Sequence, residues 1–273
     1  MKNRAIILLT LITVLASCKT VVPDEKPKPP VDNHLYCANG FCVHGKLVEE
    51  GKIYVKNDRA WLWAGQDSSW HFDITGWEIT TDRLLDYGYH RETFEALLEP
   101  KYVTASEEAS KYRAAEQVIL LHDDAQTKVY PLSLMQYHEV VNEEVDGEPV
   151  MIAYCYLADL KAVYRREICG KTLTFGVSGY TNAEEYIWDD KQGFVLWDRE
   201  TQSLWWPLMD QAISGVMKGN YLLKAPSKMW EISTWEKVLA DMPEAVVLAS
   251  RHDWVPPTTW PELKCEDLDC CEG

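Results

Sequence analysis

Short apolar runs rich in β-branched and aromatic residues recur along the chain, and turn residues separate them. Runs of about four to eight such residues are typical of strands. The polar pair Asp123 and Asp124 and the pair Cys169 and Gly170 lie between successive runs and predict hairpin bends. The pattern predicts strands over residues 52–55, 61–64, 117–121, 128–130, 150–157, 162–164, 172–177 and 194–197.

Helical patterns are fewer and shorter than the strand patterns. Ser106 precedes one of them as a candidate N-cap, and Ser233 or Thr234 precedes another. We expect helices over residues 92–98, 107–114, 134–140 and 235–240. Together these elements predict a β-dominated α+β fold, in which antiparallel hairpins form one sheet-rich domain over residues 35–273 with short peripheral helices.

The composition is that of a globular protein with an excess of acidic residues. The 273 residues are 47% hydrophobic, which is enough for a sizeable core, and the formal net charge is −16. A negative surface repels phosphates, so the charge argues against a nucleic-acid partner.

The N-terminus has the layout of a bacterial export signal. Lys2 and Arg4 precede an apolar stretch over residues 5–16, which at 12 residues is shorter than the roughly 20 that a membrane-spanning helix needs. Leu-Ala-Ser-Cys at residues 15–18 resembles the lipobox of bacterial lipoproteins. We therefore expect a signal peptide over residues 1–17 and a lipid on Cys18 that attaches the chain to a membrane.

A proline-rich and lysine-rich segment follows the predicted lipid site. Residues 18–34 contain four prolines among charged side chains, a composition typical of an extended, semi-rigid tether. The residue after Cys18 is Lys19 and not aspartate, which favours sorting to the outer membrane. The predicted location is the bacterial cell envelope, with the domain anchored by its lipid.

Cysteine usage indicates disulfides near the chain ends. Of eight cysteines, seven remain once Cys18 is assigned to lipid, so at least one thiol has no partner within the chain. No Cys-x-x-Cys pair exists, which argues against zinc-ribbon and thioredoxin chemistry. The candidates for structural disulfides, with the connectivity left open, are Cys37, Cys42, Cys265, Cys270 and Cys271.

The middle of the chain carries a series of motifs in a distinctive order. They are Tyr-Pro-Leu at 130–132, His-Glu-Val-Val-Asn at 138–142, Tyr-Cys at 154–155, Leu-Thr-Phe-Gly-Val-Ser-Gly at 173–179, Asp-Arg-Glu-Thr at 198–201 and Ser-Leu-Trp at 203–205. In order and spacing they resemble the bacterial domain-of-unknown-function family 3179 over roughly residues 70–250. The family supplies no established activity, so the resemblance implies membership and no particular reaction.

The chain departs from the resembled family at one cysteine. Members of that family commonly carry Cys-Pro-Leu-Cys, whereas this chain has Cys155, Tyr156, Leu157 and Ala158. If the family works through paired thiols, this chain has lost or altered that chemistry. Cys169 is a candidate replacement if its hairpin brings it beside Cys155.

The segment from His138 to Asn142 differs from the zinc-protease pattern His-Glu-x-x-His in its last residue, so metalloprotease chemistry is disfavoured. A softer copper or zinc site would use His138 and Cys155, with a thioether from Met135, Met151 or Met209. In the alternative interpretation, which we favour, His138 and Glu139 brace the predicted helix against strand 150–157, and Cys155 is a small buried side chain.

The predicted pocket brings several of these residues together. Ser178 lies in Gly-Val-Ser-Gly, which approaches a nucleophile elbow, but Tyr180 replaces the final glycine of that motif, so we expect a turn residue. The tryptophan clusters suit stacking on a glycan or a peptide, although we favour a place in the core. The candidate pocket residues are His138, Glu139, Asn142, Tyr154, Cys155 and Ser178.

Two functional hypotheses follow. The first is an envelope lipoprotein without catalytic activity that binds a ligand or assembles with an envelope protein or a glycan, and we favour it because no catalytic set is complete. The alternative is a metal-binding or thiol-redox protein that uses Cys155 and His138, with copper or zinc as the cofactor.

Overall fold

The computed structural model describes residues 36–38, 41–43, 45–77, 83–183, 192–250 and 262–270. All of these residues belong to one compact unit, Asp32–Gly273. The predicted signal peptide, Cys18, the tether and Cys271 lie outside the described residues. Within the described ranges, no helix has the length and apolar character that crossing a membrane requires.

Strands dominate the described chain and the helices are short, which confirms the β-dominated α+β class. The strands are β1 (Tyr36–Ala38), β2 (Phe41–Val43), β3 (Ile53–Lys56), β4 (Arg59–Leu62), β5 (Phe72–Asp73), β6 (Leu84–Asp86), β7 (Tyr102–Thr104), β8 (Gln117–His122), β9 (Thr127–Pro131), β10 (Val140–Val145), β11 (Glu148–Cys155), β12 (Leu160–Arg165), β13 (Glu167–Ile168), β14 (Lys171–Thr172), β15 (Phe175–Ala183), β16 (Gln192–Asp198), β17 (Leu204–Trp206), β18 (Gln211–Ala212), β19 (Trp230–Thr234) and β20 (Val246–Leu248). The helices are α1 (Lys46–Glu49), α2 (Leu132–Met135) and α3 (Trp235–Asp241).

Three larger sheets form the body of the domain. The first has five antiparallel strands in the order β18-β17-β16-β15-β6. The second has the order β19-β8-β9-β20-β7, in which β20 and β9 are parallel and the other neighbours are antiparallel. The third is the antiparallel meander β10-β11-β12, and a smaller meander, β3-β4-β5, covers part of the core.

Strand β11 is the central element because both of its faces are buried. Met151, Ala153 and Cys155 point into one hydrophobic core, whereas Val150, Ile152 and Tyr154 point into a second core. Successive side chains of a strand alternate between faces, so a strand between two cores requires an almost continuous apolar sequence. That requirement explains why residues 150–157 were predicted as a strand from their composition alone.

Buried tryptophans fill the first core, where we expected the tryptophan clusters, whereas Trp61, Trp63 and Trp70 are only partly buried. Trp197, Trp205 and Trp206 are buried, and aromatic rings contact two of them: the Phe72 ring centroid lies 5.9 Å from that of Trp197, and Phe175 lies 5.6 Å from Trp205. Large rings at these separations stabilise the core through burial and edge-to-face contacts.

Two predicted helices do not form, and a third is mostly replaced by a turn and the start of a strand. Residues 92–98 and 107–114 form turns and irregular segments. The second segment is largely exposed, and a short helix without an apolar face to bury has little stability. The predicted helix 134–140 is replaced by α2, which ends at Met135, and by β10, which begins at Val140. The helix over 235–240 is confirmed as α3.

The C-terminal segment is attached to the domain by a disulfide. Cys270 is bonded to Cys169, 101 residues earlier, and Cys265 is also disulfide-bonded. Gly170 has a left-handed backbone conformation with φ of 72°, which favours glycine, where the chain passes Asp269 of this segment. Leu268 is buried in the first core. The Cys169–Cys270 disulfide and the buried Leu268 side chain together hold the C-terminal segment against the domain.

The other cysteines considered in the sequence are Cys37, Cys42 and Cys155. Cys37 and Cys42 lie opposite each other in the β1–β2 hairpin. The suggestion that Cys169 replaces the missing thiol beside Cys155 is wrong, because the Cys169 sulfur is bonded to Cys270. Cys155 is free and buried.

We expect Cys270→Ser to lower the free energy of unfolding by about 2–5 kcal/mol, because a cross-link across a long loop restricts the unfolded chain. Urea denaturation of the two proteins under oxidising conditions measures the difference. In reductant the two proteins should unfold at the same denaturant concentration. Equal stability without reductant would show that the bond does not stabilise the fold.

Candidate functional site

A cavity of about 540 Å³ opens where the first five-stranded sheet meets the β10-β11-β12 meander. Its walls come from the loop after β6, the connection from α2 to β10, the turn after β11, and strands β15 and β16. The lining residues are Tyr87, Tyr89, Phe94, Gln136, Tyr137, Glu139, Tyr156, Leu157, Val177, Gly179, Tyr180, Thr181 and Phe194.

Aromatic rings dominate this pocket, and several of them are exposed. Tyr137 and Tyr156 at its edge are 65% and 64% exposed, and Tyr87 and Tyr89 are also exposed. Large side chains scattered singly over a surface are common, but a group of them around a concave site indicates binding. We call this cavity, with the lining given above, the aromatic pocket.

Glu139 reaches the aromatic pocket because the chain reverses there. It has a left-handed backbone conformation with φ of 59°, which is uncommon for a residue of its type. Its N–H donates to the carbonyl of Met135 at 2.7 Å, and its carbonyl accepts the N–H of Tyr154 at 2.9 Å. These two hydrogen bonds fix the position of Glu139 between the end of α2 and strand β11.

The carboxyl group of Glu139 has no hydrogen bond or ion pair with any other residue in the described ranges. The described lining of the pocket also includes no lysine, arginine or histidine. Burial raises the pKa of Glu139 to about 8, because nothing around it offsets the loss of water. At neutral pH the group is therefore mostly a neutral acid.

Cys155 lies behind the pocket wall and is closed to solvent. Its sulfur accepts the N–H of Phe194 at 3.4 Å, and the N–H groups of Leu157 and Ala158 also favour the thiolate. Burial nevertheless raises the pKa of the thiol to about 11, and the nearby Glu139 acts in the same direction. A thiol in this state is a weak nucleophile and a weak metal ligand.

His138 and Asn142 do not share a helix face, because they belong to a turn and to strand β10. The Nδ1 atom of His138 lies 2.9 Å from the carbonyl oxygen of Glu95, and the residue does not line the aromatic pocket. Asn142 donates to the carbonyl of Phe175 and accepts its N–H, both at 2.8 Å. Asn142 therefore links β10 to β15 and has a structural role.

Ser178 and Tyr154 also do not line the aromatic pocket. Ser178 is buried at an irregularity in β15, where its hydroxyl donates to the carbonyl of Val195 at 2.5 Å and accepts the N–H of Tyr180 at 3.1 Å. Tyr154 lines a neighbouring cavity of about 390 Å³. Of the six candidate residues, only Glu139 lines the aromatic pocket, with Cys155 directly behind it.

For the alternative copper or zinc site of His138 and Cys155, the structure gives a buried thiol and a histidine whose Nδ1 lies against a carbonyl oxygen. Among the described residues, no group of three or more histidine, cysteine, aspartate or glutamate side chains is placed to hold a metal ion. Met135 and Met151 are buried in different hydrophobic cores, whereas Met209 is partly exposed. Each of the three candidate thioethers therefore lies in a different environment.

The tyrosines of the pocket were not among the residues selected from the sequence. Tyr87 and Tyr89 lie in a loop and Tyr137 in a turn, where aromatic side chains are harder to bury than in strands. Tyr156 occupies the position of the proline in the Cys-Pro-Leu-Cys pattern. The one sequence feature that could have indicated this site is the presence of tyrosines in polar connecting segments.

Two buried acids away from the aromatic pocket, Asp198 and Glu92, accept hydrogen bonds from other side chains. Asp198 accepts the indole N–H of Trp205 at 2.8 Å and two hydrogen bonds from Thr201, and Glu92 accepts a hydrogen bond from Arg199 at 3.1 Å. Burial raises the pKa of Asp198 to about 6, but these donors limit the rise. The Asp-Arg-Glu-Thr motif therefore contributes a structural network in the core.

The fold and the site define a β-dominated α+β protein with an aromatic, acid-containing pocket. The family model described as "Protein of unknown function (DUF3179)" matches residues 91–256, more than half of the chain, and the chain belongs to that family. The matched range contains Glu139 and Tyr156, whereas Tyr87 and Tyr89 precede it. No curated protein and no solved structure matches the chain.

We expect Glu139→Gln to stabilise the protein above about pH 5. Below the ordinary pKa of 4.5, both side chains are neutral and the difference is small. As the pH rises towards 8, Glu139 ionises in the unfolded chain but keeps its proton in the folded one, so the wild-type protein loses stability that the glutamine variant retains.

The expected gain at pH 8 is about 1–3 kcal/mol, below the full value of the pKa shift because the carboxyl borders an open pocket. Thermal denaturation across this pH range measures it, with Glu95→Gln, which neutralises an exposed carboxyl, as the matched control. If the difference in stability between the wild-type protein and the glutamine variant is the same from pH 4 to pH 8, the pKa of Glu139 is not raised.

Proposed function

We propose that this protein is a lipid-anchored ligand-binding protein of the bacterial cell envelope and that the aromatic pocket is its binding site. The observation that carries the proposal is the pocket itself, a concave site with exposed tyrosines and one acid that lacks a partner. Its volume of about 540 Å³ lies within the range of about 300–1,000 Å³ that is usual for small-molecule sites.

The anchor is supported by the N-terminal sequence. Basic residues, a 12-residue apolar stretch and Leu-Ala-Ser-Cys at residues 15–18 form the arrangement that precedes a lipidated cysteine. Two or more acyl chains on Cys18 would give stable attachment, and Lys19 favours the outer membrane. The proline-rich tether would then separate the binding domain from the bilayer.

The geometry supports ligand binding better than metal or thiol chemistry. A metal-binding or redox cysteine needs an accessible thiolate, whereas Cys155 is buried and its pKa is raised to about 11. The family's second cysteine is Ala158 here, and Cys169 is bonded to Cys270. The pocket beside Cys155, in contrast, is open to solvent through its tyrosines.

Replacing Cys18 tests the anchor. We expect Cys18→Ser to move the full-length protein from the membrane fraction to the soluble fraction, because the lipid would have no attachment point. Cys155→Ala, which removes a buried thiol, should leave the protein in the membrane fraction. If Cys18→Ser remains in membranes after a salt wash, the lipid anchor is wrong.

Probe binding tests the pocket. We expect at least one of three probes, N-acetylglucosamine, cyclohexanol and choline, to bind with a Kd of about 1 mM or below and to shift the resonances of fluorine-labelled Tyr137 and Tyr156. Tyr156→Ala should weaken that binding at least about fivefold, because it removes a ring from the pocket edge.

Tyr221→Ala is the matched control for this experiment. Tyr221 is 61% exposed, close to the value for Tyr156, but it does not line the aromatic pocket. Its removal should leave probe binding unchanged. If none of the probes binds, or if both variants lose binding equally, the pocket is not the ligand site.

A further inference from the structure

The aromatic pocket combines ring faces with a carboxyl group and no positive charge. Tyr180 donates its hydroxyl hydrogen to the carbonyl of Trp63 at 2.7 Å, and Tyr87 donates to the side chain of Gln192, so both hydroxyls already have acceptors. The rings of Tyr89 and Phe94 meet edge to face at a centroid distance of 5.0 Å. What the pocket offers a ligand is therefore mainly aromatic surface and the carboxyl of Glu139.

We propose that the aromatic pocket binds a small organic cation, with an alkylammonium group beside Glu139 and its apolar substituents against the tyrosine rings. The proposal rests on the pocket being the ligand site of the proposed function. It adds the chemical class of the ligand.

Three properties of the site favour a cation. Aromatic faces attract alkylammonium groups, and this attraction strengthens where water is excluded. The carboxyl of Glu139 lacks a counter-charge among the described lining residues, so a bound cation would supply the missing partner. The net charge of −16 repels anions from the protein and raises the local concentration of cations.

The other ligand classes fit less well. A sugar would need many hydrogen-bonding groups, yet the polar side chains of the described lining, apart from the tyrosine hydroxyls, are Gln136, Glu139 and Thr181. An anion would find no lysine, arginine or histidine among the described lining residues to pair with. The volume of about 540 Å³ exceeds that of a trimethylammonium group, which leaves room for apolar substituents.

Cation binding should release a proton from Glu139. The free carboxylic acid holds its proton at neutral pH, and a cation beside it favours the carboxylate, so the proton passes to solvent as the ion pair forms. The affinity should then rise about tenfold for each pH unit below about pH 8 and level off above it.

The other titratable groups around Glu139 do not account for such a pH dependence. They are the thiol of Cys155, whose pKa is raised to about 11, and the phenols of the lining tyrosines, among which burial raises the pKa of Tyr180. The neighbouring His138 directs Nδ1 to the carbonyl of Glu95. A dependence on pH that disappears on replacing Glu139 therefore belongs to Glu139.

Isothermal titration calorimetry of the full-length protein with choline and with its neutral isostere, 3,3-dimethylbutan-1-ol, tests the proposal. We expect choline to bind at least about tenfold more tightly than the isostere at pH 8.5, and about 20-fold more weakly at pH 6.5 than at pH 8.5. The affinity of the isostere should not change with pH.

Two variants separate charge recognition from a loss of structure. Glu139→Gln should lower choline affinity to that of the isostere, abolish its pH dependence and leave isostere binding intact. Glu95→Gln, which removes an exposed carboxyl outside the pocket, should bind choline as the wild-type protein does. Retained isostere binding shows that the glutamine variant keeps a folded pocket.

The outcomes distinguish this proposal from the broader function. Equal binding of choline and the isostere, or binding of N-acetylglucosamine alone, would overturn the cation while leaving the pocket as a ligand site. If no probe binds, both proposals fail. Where choline binds, its displacement by phosphatidylcholine vesicles, and not by phosphatidylglycerol vesicles, would identify a lipid headgroup as the source of the cation, and no displacement would identify a free molecule.

Discussion

Burying a carboxyl group costs free energy unless a charge or a hydrogen bond compensates for the lost water, and this constraint separates the acids of this protein into two groups. Asp198 and Glu92 have donors within hydrogen-bond distance. Glu143 accepts hydrogen bonds from two tyrosines and pairs with Lys128 at 3.1 Å. Glu139 has no such partner within the described residues, and the functional account of the protein depends on that contrast.

The compensated polar groups also hold the walls of the pocket in place. Glu143 on β10 bonds to Tyr102 on β7 and Tyr130 on β9, so it joins the meander to the second five-stranded sheet. Asn142, the preceding residue, joins the same strand to β15 of the first sheet. Because β10 begins directly after Glu139, both connections fix the strand that follows the acid.

The sequence predicted those features of the fold that depend on residues close together along the chain. Strand β11 was predicted from its unbroken apolar run, which the burial of both its faces explains, and Cys270 was expected in a disulfide from its setting alone. The partner Cys169 was not predicted, because connectivity across 101 residues depends on tertiary structure. The helix over 134–140 failed for a similar reason, since the turn at Glu139 is fixed by contacts with Met135 and Tyr154.

The candidate site was predicted only in part. His138 and Cys155 were the candidate metal ligands, and Glu139 was a candidate pocket residue. Glu139 and Cys155 do lie near each other, but the acid faces the pocket while the thiol is buried behind it. The tyrosines were missed because their exposure is set by how three distant segments meet. No pattern within any one of those segments reports that arrangement.

The most direct test of the account is the pKa of Glu139, measured by carbon-13 NMR of its carboxyl in the full-length protein and assigned through Glu139→Gln. The account predicts a midpoint near 8 in the free protein and a midpoint at least about one unit lower with saturating choline. A midpoint near 4.5, or one near 8 that choline does not move, would contradict it.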